Sequence, residues 1–294
     1  MIAALEIPSD IDLRLFSVFL QQAGVVHRIT EEGVAQVVWI NSEDDRLKVL
    51  HFYGQLSSGA LVLQDQVGAR SSDMSVVSRL LANVGRFPLT MLLLLVNVLL
   101  FPVTYGVNQG DLSGLFAQMT LLEFSVIGDK IYFSNLTHIL ESHQYWRLLT
   151  PMFIHFGWIH IVFNLLWVWE IGRRIELISG SSVLLLVTIV SSLGANFLQY
   201  AMSGAGLFGG MSGVVFGYLG HSLVWDKLVP GRKMGLRSGI YIFMLVFLAI
   251  GFTGAFDLLG LGSLANGAHL GGLLGGILTG GVAGMLQRFD RQET

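Results

Sequence analysis

Five polar residues that can take part in acyl-transfer chemistry lie within long apolar stretches of the sequence. Ser212 stands among glycines in GGMSGVVFG, residues 209–217. His160 and Asn164 are four residues apart in a second stretch, and Asn266 and His269 are three apart in a third. Residues at these spacings share one face of a helix. Because polar residues are rare in apolar stretches of this length, each one is a candidate functional residue.

These residue types suit nucleophilic attack by a serine. Serine is a weak nucleophile until a base takes its proton, and one histidine within hydrogen-bond reach is sufficient. The oxyanion that forms after attack needs hydrogen-bond donors. A backbone N–H at a helix start, an asparagine amide and a histidine ring are all suitable. We therefore expect Ser212, His160, Asn164 and His269 to converge in the folded protein.

Each of these residues also has a purely structural interpretation. A serine among glycines lets helices pack closely, and a buried histidine or asparagine often forms a helix–helix hydrogen bond. Asn97 and Asn196 are predicted to be of that second kind. In the last apolar stretch, small residues recur every four positions, at Ala268, Gly272, Gly276 and Gly280. This spacing predicts a helix face that packs closely against a neighbouring helix. The combination of polar residues on three stretches favours catalysis over packing alone.

The composition predicts an all-α polytopic membrane protein. The 294 residues are 53% hydrophobic and 13% charged, whereas soluble domains are about 25% charged. The mean hydropathy is +0.65. Six stretches approach the ~20 residues that cross a bilayer, namely 87–107, 148–171, 182–203, 210–227, 236–256 and 264–286. We expect the fourth helix, the shortest, to begin within the membrane.

Charge and cysteine content exclude several functions and predict an orientation. There is no cysteine, which excludes disulfides, thiol catalysis and cysteine-bound zinc, and no clustered basic face that would predict nucleic-acid binding. Basic residues flank one side of the predicted spans, at Arg79, Arg86, Arg173, Arg174, Lys227, Arg232, Lys233, Arg237, Arg288 and Arg291. The positive-inside rule then places both termini in the cytoplasm and the long connection 108–147, expected to be interfacial, outside.

The first 63 residues predict a small soluble α+β domain of order helix, strand, strand, helix. The first helix is expected to start at Ser9 or Asp10 and the second at Asn41 or Ser42, since these residues cap helices. Strands are predicted at 25–29 and 34–40, around a turn at 30–33. Residues 64–85 are predicted to be a linker with an interfacial helix near 76–81, 86–287 a membrane domain, and 288–294 a tail. The N-terminus has no basic-then-apolar pattern, so no cleaved leader is expected.

Four motifs carry a resemblance to a known family. They are GMSG at 210–213, HIVFN at 160–164, ANGAH at 265–269 and YWR at 145–147. Their order and their places on the second, fourth and sixth predicted spans resemble the rhomboid family of intramembrane serine proteases, in its bacterial branch. The resemblance covers about residues 85–285. The N-terminal segment is similar, less specifically, to the small cytoplasmic domain of that branch.

The resemblance implies a six-transmembrane-helix rhomboid-like bundle with a small N-terminal α+β cytoplasmic domain. It implies a dyad of Ser212 as nucleophile and His269 as general base, with the oxyanion bound by the Ser212 N–H, His160 and Asn164. Supporting roles fall to Gly210, Gly213, Phe216, Asn266, Trp146 and Arg147. Gly210 would leave space for the oxyanion, and Trp146 and Arg147 would anchor the outer loop.

The implied reaction is cleavage of single-pass transmembrane proteins near the outer face of the bacterial inner membrane. The active site would open to the periplasm, and the partners would be those substrates and the lipid bilayer, with no nucleic acid. No cofactor and no metal are implied, since the dyad needs only water.

One departure from the family and two further histidines bear on this interpretation. Phe216 stands where bacterial relatives usually have tyrosine. Its ring can pack on His269, but the hydroxyl is lost, so we expect a tuned rather than abolished activity. His155 is expected to be a structural hydrogen-bonding residue, and His221 is expected to have no catalytic role.

Three other functions are weighed against the protease. The first is a catalytically inactive rhomboid-like protein that binds transmembrane helices, although such proteins normally lack the serine or the histidine. The second is a metalloprotease using His155, His160 and His269, although no H-E-x-x-H motif is present. The third is a transporter or channel, for which internal repeats or charged pathway residues are expected; the sequence shows no repeat, and the outer halves of the predicted spans carry almost no charge.

Overall fold

The structure divides the chain into two compact units, Met1–Arg79 and Leu80–Thr294. It is a computed structural model that describes residues 2–59, 61, 83–106, 112, 114–258 and 264–290. Most of the predicted linker 64–85, the predicted helix near 76–81 and the last four residues of the predicted tail lie outside the described residues.

The N-terminal unit is a three-stranded antiparallel sheet with two helices. Strands β1 (Ile2–Pro8), β2 (His27–Glu32) and β3 (Ala35–Ile40) pair in the order β1-β3-β2. Helices α1 (Arg14–Gln22) and α2 (Glu43–Ser57) complete the unit. An apolar core is built from the sheet and both helices, including Phe16, Leu20, Val38, Ile40 and Val49.

Strand β1 was not predicted from the sequence, and the start of α1 was predicted wrongly. The pairing of β1 with β3 shifts register between Ala3 and Leu5, and this irregularity breaks the alternation that identifies a strand. Helix α1 begins at Arg14 rather than near Ser9, because the Ser9 N–H donates to the carbonyl of Val34 at 3.0 Å. This bond holds residue 9 at the end of the sheet.

The remaining predictions for this unit are closer to the structure. Glu32 pairs with Ala35, so the β2–β3 turn lies at Gly33 and Val34 and is shorter than the predicted turn at 30–33. Ser42 caps α2, since its hydroxyl accepts the N–H of Asp45 at 3.2 Å. The α+β character of the unit is as predicted.

The second unit is mostly helical. Its longer helices are α3 (Pro88–Tyr105), α6 (Trp158–Trp167), α8 (Ser181–Ser203), α9 (Ser212–Leu228), α10 (Ser238–Gly251) and α12 (Asn266–Asp290). Shorter helices are α4 (Gly114–Met119), α5 (Leu136–Glu141), α7 (Arg173–Ser179) and α11 (Ala255–Leu258). A π-helical segment, Val168–Gly172, joins α6 to α7, and strands β4 (Phe124–Ile127) and β5 (Lys130–Phe133) form a hairpin.

Several of these helices are suited to a membrane. By length and composition, three of the described helices can span one: Pro88–Tyr105, Ser181–Ser203 and Asn266–Arg288. Helix α10 is apolar but shorter, and α9 has 17 residues. A helix overlaps each of the six predicted stretches, while the number of spans stays a prediction.

The second predicted span, 148–171, has the wrong boundaries. Residues Thr150–Phe153 form a 3-10 turn that contains Pro151, and the backbone is extended at Gly157 before α6 begins. Helical structure then runs past residue 171 to Ser179. A proline cannot donate the backbone hydrogen bond that a helix interior requires, so the apolar run starts as turns and becomes a helix only later.

Glycines let α9, α8 and α12 approach each other closely. A Cβ on Gly272, Gly276 or Gly280 would overlap the carbonyl oxygens of Gly213, Gly217 or His221 on α9. A Cβ on Gly271 would likewise overlap the Gly194 carbonyl of α8. The close-packed stripe predicted from sequence is confirmed. Its consequence is that the starts of α9 and α12 lie side by side.

Candidate active site

Ser212 and His269 are brought together by the starts of two neighbouring helices. The Oγ of Ser212 lies 2.9 Å from the Nε2 of His269. His269 is buried and Ser212 is half-buried. In the tautomer that carries its proton on Nδ1, the histidine accepts the serine proton at Nε2. The pair therefore has the geometry of a nucleophile and its base.

Ser212 is the first residue of α9, which leaves its backbone N–H available. The first hydrogen bond of the helix runs from the Val215 N–H to the Met211 carbonyl at 2.8 Å. The N–H groups ahead of that bond, including that of Ser212, have no partner within the helix. They carry partial positive charge at the helix start, where an anion is stabilised.

The segment before Ser212 is docked on the turns that precede α6. The Gly210 N–H donates to the carbonyl of Pro151 at 2.9 Å, and the Met211 N–H lies 3.5 Å from the Nε2 of His155. A Cβ on Gly209 would be 2.6 Å from the Pro151 oxygen. His155 is therefore the structural hydrogen-bonding residue expected from the sequence.

His160 and Asn164 face the backbone two residues before the serine. Gly210 has φ +115°, and a Cβ built on it would lie 2.5 Å from His160 Nε2 and 3.3 Å from Asn164 Nδ2. The Nδ2 of Asn164 is buried and has no hydrogen-bond partner among the described residues. Since buried polar groups are normally satisfied, this amide is a donor without an acceptor beside the serine.

Aromatic rings hold one side of His269. The ring centroid of Phe216, one turn after Ser212, lies 4.8 Å from that of His269, and Phe247 lies at 6.2 Å. The Nδ1 of His269 is buried without a partner among the described residues. The histidine is thus positioned by packing, and no third side chain orients it in the part of the chain that is described.

Gly213 and Asn266 hold the starts of α9 and α12 against neighbouring helices. A Cβ on Gly213 would lie 2.6 Å from the Cβ of Ala195, so only glycine lets α9 approach α8 there. The Nδ2 of Asn266 donates to the Gly251 carbonyl at 2.7 Å and joins the start of α12 to the end of α10.

One supporting residue was missed by sequence reasoning. The Oε1 of Gln199 on α8 accepts the backbone N–H of Ala268 at 3.0 Å. It satisfies one of the free donors in the first turn of α12, next to His269. A glutamine in an apolar stretch was the available signal, by the same rule that singled out the histidines.

Trp146 and Arg147 lie in the segment before α6. Their side chains form hydrogen bonds to backbone carbonyls in and just after α4. The Arg147 guanidinium donates to the carbonyls of Ala117 and Thr120 at 2.6 and 3.0 Å, and the Trp146 indole donates to the Gln118 carbonyl at 3.1 Å. Burial lowers the pKa of Arg147. A hydrogen bond from His138 lowers the pKa of the Glu123 carboxyl in the same segment. These contacts tie the segment before α6 to α4, and the anchoring role that the resemblance implies for Trp146 and Arg147 stays a prediction.

The other polar residues considered from sequence have hydrogen-bond partners other than the serine. His221 is buried and pairs with Thr279 at 3.2 Å. Asn196 donates to the Leu148 carbonyl at 2.8 Å. Asn97 donates to Leu93 of its own helix, so the predicted helix–helix bond is wrong for this residue. Among the described residues, no cluster of histidine and carboxylate side chains could hold a metal ion.

Comparison with known proteins gives matches over both units. A family model for the Rhomboid domain matches residues 142–285, and one for the Rhomboid N-terminal domain matches residues 1–66. The chain is 40% identical over 156 residues to the rhomboid protease GlpG of Yersinia pestis (strain Pestoides F), covering 52% of this chain and 54% of that protein. It therefore spans about half the length of that relative.

A second relative aligns over more of the chain. The rhomboid protease GlpG of Serratia proteamaculans (strain 568) is 29% identical over 273 residues, covering 88% of each protein. The four motifs around the serine all lie within the residues that the Rhomboid domain model matches. On the strength of both domain matches, the chain belongs to the rhomboid family.

Proposed function

We propose that the protein is an intramembrane serine endopeptidase that uses Ser212 and His269 as a catalytic dyad. The observation that carries the proposal is the 2.9 Å contact between Ser212 Oγ and His269 Nε2 at the start of a buried helix. The names of the relatives, rhomboid proteases, support the same activity.

The first half of the reaction forms an acyl-enzyme. His269 Nε2 takes the hydroxyl proton of Ser212 while Oγ attacks the carbonyl carbon of the scissile peptide bond. The resulting oxyanion receives hydrogen bonds from the Ser212 N–H, the Asn164 amide and the His160 ring. The C–N bond then breaks, and the imidazolium of His269 returns its proton to the leaving amine.

The second half releases the product by hydrolysis. His269 takes a proton from water as the water oxygen attacks the ester carbonyl, and the same donors hold the second oxyanion. The ester bond breaks, the proton passes from His269 to Ser212 Oγ, and a carboxylic acid leaves. The residues required are those of the first half, so no cofactor takes part.

Gly210 is assigned the role of keeping the oxyanion site open. A side chain there would fill the space in front of His160 Nε2 and Asn164 Nδ2. Phe216 holds the ring of His269 by packing, and Asn266 and Gly213 hold the two helix starts in place. Trp146 and Arg147 anchor the outer segment at a distance from the chemistry.

The substrate is assigned as a single-pass transmembrane protein cut near the outer membrane face. The substrate assignment is supported by the helices that are long and apolar enough to span a membrane. It also depends on the six predicted spans crossing the bacterial inner membrane. With both termini cytoplasmic, as the basic flanks indicate, the starts of α9 and α12 face the periplasmic side. The N-terminal α+β domain, residues 1–63, then lies in the cytoplasm.

Cleavage of a labelled transmembrane substrate by the purified protein tests the proposal. Ser212→Ala and His269→Ala should each abolish cleavage. Ser222→Ala is the matched control, because Ser222 is buried on the same helix α9 and its hydroxyl has no hydrogen-bond partner among the described residues. This variant should cut like the parent.

Three outcomes would overturn the assignment. Undiminished cleavage by Ser212→Ala rules out the serine mechanism. If a chelator then stops the cleavage by this variant, a metal mechanism replaces it. Stable binding of the substrate without any cleavage by the parent protein indicates an inactive helix-binding relative.

A further inference from the structure

A cavity with two basic residues lies at the end of the helical unit that is farthest from Ser212. Its volume is about 320 Å³, and it is lined by Lys227, Leu228, Val229, Pro230 and Arg288. Lys227 is in the last turn of α9, and Arg288 is in the last turn of α12. The proposed catalytic mechanism uses none of these residues.

The cavity and the dyad occupy opposite ends of the same two helices. Fifteen residues of α9 separate Ser212 from Lys227, which is roughly 22 Å of helix rise. On α12, nineteen residues separate His269 from Arg288, roughly 28 Å. These distances are close to the ~30 Å thickness of a bilayer core. A dyad near one membrane surface therefore places the cavity at the opposite surface.

Neither basic residue of the cavity forms an ion pair with a carboxylate among the described side chains. The nearest acid in sequence, Asp226, is engaged elsewhere, since it accepts the backbone N–H of Met234 at 2.6 Å. Arg232 beside the cavity donates to the carbonyl of Ile178 and to Gln287 at 3.4 Å. The local charge is thus positive, with two cations able to meet one anion.

An exposed apolar stripe on α12 leads along the helix to this cavity. Leu278, Val282 and Met285 are 62%, 49% and 52% exposed, and their spacing of four and three residues puts them on one helix face. Arg288 follows Met285 by three residues and is therefore its neighbour on the helix surface. An apolar stripe ending in a basic pocket at the membrane surface matches an acyl chain attached to an anionic headgroup.

We propose that Lys227 and Arg288 bind the phosphate of an anionic phospholipid, with an acyl chain along Leu278, Val282 and Met285. Phosphatidylglycerol is the test ligand. A free phosphate ion offers the same charge but has no acyl chain for the stripe, so the two sources are distinguishable by experiment.

Native mass spectrometry of the full chain in detergent measures the binding. Phosphatidylglycerol, phosphatidylcholine and inorganic phosphate are titrated separately. For Lys227→Ala/Arg288→Ala we expect phosphatidylglycerol affinity to fall by about tenfold or more, because two charges at the headgroup are lost. The matched control Lys233→Ala/Arg237→Ala also removes two exposed cations from the α9–α10 connection but leaves the cavity intact, and it should bind like the parent.

The results separate the alternatives. An equal fall in both double variants shows diffuse attraction and overturns the site, as does equal binding of phosphatidylglycerol by all three proteins. Displacement of the lipid by equimolar inorganic phosphate overturns the lipid assignment. If the alanine variant does not fold, Lys227→Gln/Arg288→Gln replaces it. Because the readout is binding, Ser212→Ala protein serves equally well, and the result is independent of the proposed protease activity.

Discussion

In the described part of the chain, two serine–histidine pairs, one in each unit, have almost the same hydrogen-bond length. Ser17 Oγ lies 2.8 Å from His27 Nε2 in the N-terminal unit, and Ser212 Oγ lies 2.9 Å from His269 Nε2 in the helical unit. His27 is even the better oriented of the two rings, since its Nδ1 is 2.9 Å from the Val25 carbonyl. The distance between nucleophile and base therefore does not distinguish the two pairs.

The surroundings of the two serines do distinguish them. Ser17 lies inside α1, and its N–H is already donated to the Leu13 carbonyl at 2.8 Å. Ser212 starts α9 and has a free N–H, with the unpaired Asn164 amide nearby. The second pair therefore has candidate oxyanion donors beside it, whereas the backbone N–H of Ser17 is already used within α1. We infer that donors for the developing charge, more than the Ser–His contact itself, make a site catalytic.

The largest expected difference between the pairs is in reaction with a fluorophosphonate probe. The probe should label Ser212 and not Ser17, since Ser212 starts its helix beside the Asn164 amide while the N–H of Ser17 is donated to Leu13. Loss of the nucleophile or base typically costs at least about 10³-fold in rate, so His269→Ala should abolish labelling while His27→Ala leaves it unchanged. Mass spectrometry of the labelled peptides measures both. Labelling of Ser17 would remove the distinction drawn above.

The buried amide of Asn164 has no hydrogen-bond partner among the described residues. Asn164→Ala should lower kcat by about 10²–10³-fold, the usual effect of removing one oxyanion donor, with little change in KM. Asn97→Ala is the control, because Asn97 is also buried and, among the described residues, its amide donates to Leu93 of its own helix. Steady-state cleavage rates give the comparison. Equal activity of the two variants would mean that Asn164 does not touch the oxyanion.

Gly210→Ala tests the space in front of the same donors. The new methyl would crowd His160 Nε2, and the positive φ of Gly210 strains any side chain. We expect cleavage to fall by about 10²-fold, as for other displacements of about 1 Å in an active site. Gly206→Ala, four residues earlier, meets no atom within 4 Å and should be neutral. Similar rates for both variants would show that the site tolerates a side chain there.

The packing that positions Ser212 should be sensitive to a single methyl group. Gly276→Ala would overlap the Gly217 carbonyl, whereas a Cβ at Gly281 meets only the end of Met285 at 3.9 Å. We expect Gly276→Ala to reduce the free energy of unfolding by about 1–3 kcal/mol, as for other overpacked sites, and Gly281→Ala to leave it unchanged or slightly higher. Denaturant titration in detergent measures this. Equal stability would mean that the helices shift freely.

The smallest expected effect is that of restoring a hydroxyl beside the base. Phe216 packs on His269 through its ring, so Phe216→Tyr keeps the packing and adds at most one hydrogen bond. Such a bond contributes about 0.5–1.5 kcal/mol, and the cleavage rate should change by less than about tenfold. Phe216→Leu, which removes the ring, should reduce the rate more. If leucine is better tolerated than tyrosine, the ring does not position the histidine.

Sequence patterns predicted the parts of the fold that depend on local chemistry. Apolar runs revealed the helices, Ser42 was recognised as the cap of α2, and the four-residue spacing from Ala268 to Gly280 predicted close packing. Strand β1 was missed because a register shift at Ala3 breaks its alternation. The start of α6 at Trp158 was missed because hydrophobicity does not distinguish a helix from the turns around Pro151.

The candidate site was predictable only as a set of residues. Ser212, His160, Asn164, Asn266 and His269 stand out because polar groups are rare in such apolar segments. Gln199 follows the same rule and was overlooked, since its role is to accept a backbone N–H of α12 and no motif marks it. The Ser17–His27 pair has no sequence signal, since the residues meet only when α1 packs on the sheet.

The amino-acid sequence alone specifies the residue types of the chemistry, the apolar lengths of the helices and the glycines that permit close approach. These are local properties, and the residue spacing places them on particular helix faces. Which serine is flanked by hydrogen-bond donors depends instead on how the helices pack. The donors reach Ser212 because of where α9 begins relative to Asn164 and His269. Helices that are far apart in the sequence meet at this site because their glycines allow the backbones to come into contact.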